Sequence, residues 1–120
     1  VTVSKEVLHR LKDLRRELRA SEKGKQQEVE RLIKWCMKNA SLDFLIDWWS
    51  TDTTEVHDDE YLERWRSFIL TVVNESFNGE ITFRDMTRRP FAFYLDGQYG
   101  SYEIKAIKYN DSVRLIVHEE

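Results

Sequence analysis

Of 120 residues, 1 is cysteine, 1 is proline and 4 are glycine. A lone Cys36 can form no internal disulfide and can build no thiolate metal site by itself. It places the chain in a reducing compartment, and the expected location is cytoplasmic. With so little Gly and Pro, long flexible linkers are not expected, so residues 1–120 read as a single domain. No apolar run approaches the roughly 20 residues of a membrane span, and no signal-peptide pattern opens the chain.

Catalytic signatures are also missing. There is no glycine-rich phosphate loop and no dinucleotide fingerprint. No serine sits in a nucleophile elbow. His9, His57 and His118 are dispersed, without a paired-histidine or paired-cysteine spacing. Asp52, Glu55, His57, Asp58 and Asp59 cluster locally but lack the spacing and glycine of a calcium loop. Cys36 falls in phase with neighbouring apolar residues and reads as a buried thiol. Carboxylate pairs such as Asp43 with Asp47, or Glu60 with Glu63, have spacings common on solvated helices. The expectation is a non-enzymatic protein with no cofactor and no metal. A small enzyme with an unrecognised site is one alternative.

The chain has 41% hydrophobic and 34% charged residues, a globular balance. The 6 Phe, 5 Tyr and 4 Trp supply a large apolar payload for a modest core. Val7, Leu11, Leu14 and Leu18 recur with spacing 4-3-4 and predict a helix from Ser4, its N-cap, to about Ser21. Gly24 predicts a break, with a loop over 23–27. Val29, Leu32, Ile33 and Cys36 form the stripe of a second helix over about 26–39, with Trp35 off that stripe. Leu42, Leu45, Ile46 and Trp49 suggest a short third helix, on which Phe44 and Trp48 lie elsewhere. Asp58 or Asp59 caps a fourth, running to about Phe77 and ended by Asn78-Gly79. Its Leu62, Trp65, Ile69 and Val72 are expected to face the core.

The apolar period then changes from 3.6 to 2. Ile81 and Phe83, then Phe91, Phe93 and Leu95, then Tyr102, Ile104 and Ala106, then Val113, Leu115 and Val117 each alternate with polar or partly polar neighbours. Asp96–Gly100 and Asn110-Asp111 supply turns, and Pro90 belongs at a strand start or edge. The expected fold is α+β. Three to four N-terminal helices (about 4–77) pack on one face of a three- or four-stranded antiparallel meander (about 81–118).

Charge is distributed unevenly. Residues 1–40 carry 11 basic and 6 acidic side chains, residues 41–80 carry 2 and 10, and residues 81–120 carry 6 of each. Between Asp43 and Glu63 there are 8 acidic residues and no Lys or Arg. Acidic groups around aromatic anchors suit capture of a basic protein. Asp43, Asp47, Trp48, Asp52, Glu55, Asp58 and Asp59 are therefore the candidate partner-binding residues of a small inhibitor, immunity or adaptor protein. An ordinary acidic surface over a tryptophan-rich core accounts for the same residues. The alternative is nucleic-acid binding through Lys12, Arg15, Arg16 and Arg19 on the basic flank of the first helix, joined by Arg84, Arg88 and Arg89. That helix also offers a surface for self-association. No membrane partner is expected.

Overall fold

The computed structural model describes residues 4–40, 58–87, 92–109 and 112–120. Ser4 stands in extended backbone and its hydroxyl accepts from the Val7 N–H at 3.3 Å, an N-cap as expected. The helix it starts, α1, runs from Lys5 to Asn39 without interruption, 35 residues in all. The expected break at Gly24 does not occur, so the first two predicted helices are one. An isolated glycine costs a helix only about 1 kcal/mol, and Gly24 is flanked by strong helix formers. It also has a packing role. A Cβ there would lie 2.5 Å from Cζ of Tyr99, so the missing side chain is the notch that admits this ring.

Trp35, off the expected stripe, contacts other elements of the fold. It is buried, and its ring packs 5.7 Å from Phe77 and 6.1 Å from Phe93. Its Nε1 donates to Ser76 Oγ at 2.9 Å. Ile33, expected on the core stripe, is exposed. The buried face of α1 follows Glu28, Leu32 and Trp35, with Cys36 beside them, and thus keeps the 4-3 spacing set by Val7–Leu18.

The second described helix, α2, spans Asp59–Phe77. The Asp58 carboxylate accepts from the Tyr61 N–H at 2.8 Å, and Asn78, at φ 49°, closes the far end. Leu62, Ile69, Val73 and Phe77 are buried, while Trp65 and Val72 pack at the core margin. The proposed short helix around Leu42–Trp49 lies outside the described residues.

Four strands follow: β1 (Thr82–Met86), β2 (Ala92–Asp96), β3 (Ser101–Tyr109) and β4 (Ser112–Glu119). They pair antiparallel in the order β1-β2-β3-β4, the meander expected from short connections. The register shifts between Phe83 and Asp85, a bulge that lets Ile81 and Met86 both turn inward. Phe93, Leu95, Tyr102 and Ile104 are fully buried under the two helices. Glu28, Leu32, Trp35 and Cys36 reach this core only from the C-terminal part of α1.

The molecule measures 65 × 28 × 27 Å with a radius of gyration of 19.1 Å. A compact chain of this length would have about 14 Å. The N-terminal half of α1 accounts for the excess: every residue from Ser4 to Lys23 is exposed.

Candidate interaction surface

The projecting half of α1 presents an apolar stripe. Val7, Leu8, Leu11, Leu14 and Leu18 are between 47% and 61% exposed. Further along the same helix, the same spacing delivers Leu32 and Trp35 to 0% and 8% exposure. The two groups share one heptad frame, whose intervening positions are Ser21, Lys25 and Glu28, so the apolar row of the arm ends at Leu18 and the sheet covers the second group. Scattered surface leucines are ordinary, but a contiguous row in heptad spacing is the seam of a helix-pairing surface.

The boundary between arm and body is fixed by Glu28. This carboxylate is 5% exposed and faces the turn between β2 and β3. It accepts from the backbone N–H of Gln98 at 3.0 Å and of Tyr99 at 3.2 Å, and from the Tyr102 hydroxyl at 2.7 Å. Burial, reinforced by the hydrogen bond to Glu28, raises the Tyr102 phenol well above its ordinary range. Gly97 is necessary here, because a Cβ would sit 1.8 Å from Glu28 Oε1. One turn back along α1, Tyr99 fills the Gly24 notch, and Lys25 pairs with Glu119 at 3.1 Å. Sequence reasoning missed this latch. Its signal was a glutamate on the stripe position four before Leu32, opposite a turn with a glycine at either end.

The sheet face turned away from α1 and α2 carries paired polar groups. Arg84 contacts Asp96 at 3.2 Å and Glu120 at 2.6 Å, and lies 5.2 Å over the Tyr94 ring. Lys105 pairs with Glu103 at 3.1 Å, and Glu103 also bonds Tyr94. Desolvation opposes ionisation of Glu103, but the bonds from Lys105 and Tyr94 outweigh it and lower its pKa.

The expected site residues fall into separate places. Lys12, Arg15, Arg16 and Arg19 are all exposed on the arm. Arg84 is held by the sheet, away from them. Asp58 is engaged as the α2 cap, and Asp59 follows in the first turn. Asp43, Asp47, Trp48, Asp52, Glu55, Arg88 and Arg89 lie outside the described residues. Beside the α2 cap, Tyr61, Trp65 and Phe68 form an aromatic row, with ring centroids 6.3 Å and 6.1 Å apart. Arg64 completes the shallow cleft they line.

Burial pushes the Cys36 thiol up to about 12, so it carries no thiolate at neutral pH. Among the described residues no group of three or more His, Cys, Asp or Glu is placed to hold a metal ion. No described helix is long and apolar enough to cross a membrane. Compared with protein-family models, curated proteins and solved structures, the chain matches none of them.

Proposed function

We propose that this chain is a non-enzymatic protein-binding module of adaptor type, in which a small α+β body holds out a helical arm as its docking element. The observation that carries this reading is the uncovered Val7–Leu11–Leu14–Leu18 row, which shares its heptad frame with Leu32 and Trp35 that the sheet covers. Among the described residues the arm adds nothing to the core, and apolar side chains kept in water oppose solubility unless something covers them. Helix-in-groove and helix-on-helix docking both use this spacing.

The acidic run from Asp43 to Glu63 is proposed as a second contact of the same module, suited to a basic protein. Its described members Asp59, Glu60 and Glu63 stand on the first turns of α2, the helix that also carries the aromatic row of Tyr61, Trp65 and Phe68. Nucleic-acid binding is the weaker reading. Arg84, needed for its basic patch, is already paired with Asp96 and Glu120.

A photo-activated cross-linking side chain at Leu14, compared with one at Arg16 on the far face of the arm, tests the docking role in the native host. Adducts are expected from position 14 and not from position 16. Absence of adducts from position 14, or equal adducts from both, would refute the proposal.

A further inference from the structure

We infer that the arm's partner is the arm of a second copy of this chain, paired antiparallel as a short two-helix coiled coil. This rests on the docking role proposed above and names its occupant. In heptad terms Leu11 and Leu18 take the a positions and Val7 and Leu14 the d positions. Antiparallel helices oppose a to d. Setting Leu11 against Leu14 of the second copy also sets Val7 against its Leu18, and by symmetry all four layers are filled.

The flanks choose the orientation. Arg10 and Glu17 occupy the g positions, and Leu8, Arg15 and Glu22 the e positions. In the antiparallel pair, g faces g, so Arg10 meets Glu17 of the second copy twice over. On the other edge Leu8 lies under the aliphatic stem of the second copy's Arg15. A parallel pair would oppose g to the following e. That puts Arg10 against Arg15 and Glu17 against Glu22, like charges at both steps.

The body imposes the same choice by bulk. Beyond Gly24 the stripe of α1 is occupied by its own chain: Tyr99 fits at Gly24, the β2–β3 turn lies on Glu28, and the core lies on Leu32 and Trp35. Two parallel helices would each carry a sheet into the gap between them. In the antiparallel register Lys5 lies opposite Ala20 of the second copy, and each helix ends before the other's body begins.

The chain's own residues 41–57 are too short to cover the seam. Ala40 lies about 39 Å along the helix axis from Leu14. α2 runs back from Ser76, beside Trp35, past Arg66, beside Asp85, so Asp58 too lies at the end remote from the arm. Seventeen residues reach out and return over only about 30 Å.

Sedimentation equilibrium of the full chain tests the inference. The expected result is a reversible dimer with a dissociation constant on the order of 10 µM. Leu14→Glu should be monomeric yet equally stable, because Leu14 is half exposed in its own chain. Glu17→Arg should weaken the dimer about tenfold, and Arg10→Glu in that background should restore it. Orientation is read by oxidative cross-linking. A mixture of Val7→Cys and Leu18→Cys chains should form the mixed disulfide, and neither alone its own. Cys36, buried and protonated, should stay silent. A wild-type chain that remains monomeric to about 500 µM overturns the inference. So does a dimer strengthened by Glu17→Arg, or one cross-linked by Val7→Cys alone. If the chain is monomeric but the Leu14 cross-linker captures a different protein, pairing with itself is refuted while the docking role survives.

Discussion

Replacing Glu28 by alanine should destabilise the domain by about 2–3 kcal/mol, most of it through one hydroxyl. Three donors converge on this carboxylate, but they do not lose equally. Gln98 and Tyr99 are exposed, so their N–H groups can turn to water. The Tyr102 hydroxyl is fully buried and cannot. A buried donor left unsatisfied costs about 1–3 kcal/mol, and loss of charge-assisted bonds adds to that. Against this stands the desolvation that the carboxylate no longer incurs, together with the slightly better helix propensity of alanine. Glu28→Gln should cost only about 1 kcal/mol. Its carbonyl can still accept from the turn, and its amide can donate to a rotated Tyr102 hydroxyl. Tyr102→Phe should remove most of the penalty of Glu28→Ala, giving a coupling of about 1–2 kcal/mol in a double-mutant cycle. Urea denaturation followed by tryptophan fluorescence and circular dichroism measures all five proteins. If Glu28→Ala costs under about 0.5 kcal/mol, or if the two changes are additive, the carboxylate is not the latch between turn and helix.

Two further outcomes follow from the same region and the core. Gly24→Ala should lose stability in the wild-type chain but gain about 1 kcal/mol in a Tyr99→Ala background, where the ring no longer occupies the notch; thermal melts of the four chains decide it. Stability should fall as pH rises above about 9, because the folded Cys36 thiol keeps its proton to about 12 while the unfolded one loses it near 9. The contribution is complete below pH 9 and lost at about 1.4 kcal/mol per pH unit above it. Cys36→Ala should remove this part of the slope in urea melts across alkaline pH, leaving the part due to Tyr102, which begins near pH 10.

The sheet was legible because each strand carries a period-2 pattern bounded by turn residues, and short connections leave a meander as the simplest order. The caps at Ser4, Asp58 and Asn78 were legible for a local reason: each side chain or backbone angle acts within one turn of its own position. The continuity of α1 was not. Gly24 reads as a breaker from its neighbours alone, and its packing partner Tyr99 is remote in sequence. Ile33 was expected inside because it fits one stripe with Val29, Leu32 and Cys36, whereas the buried residues of α1 are Glu28, Leu32, Trp35 and Cys36 and Ile33 is exposed. The leucine row was visible from the start. Periodicity locates an apolar face but does not say whether the same chain covers it. The latch at Glu28 needed three separate pieces of chain to be brought together before its buried charge made sense.

Arm and body share one helix with no joint between them, so the compass bearing of the leucine row relative to the sheet is set by residue count alone. Each residue turns the helix by about 100° and advances it by about 1.5 Å. One residue inserted between Leu18 and Glu28 would swing the row to the side of the body, and two would point it nearly backwards. Four would bring it within about 40° of its original heading, merely standing further out. The arm's length can therefore change in whole turns at little cost to its aim, whereas a single-residue change redirects it without touching a leucine.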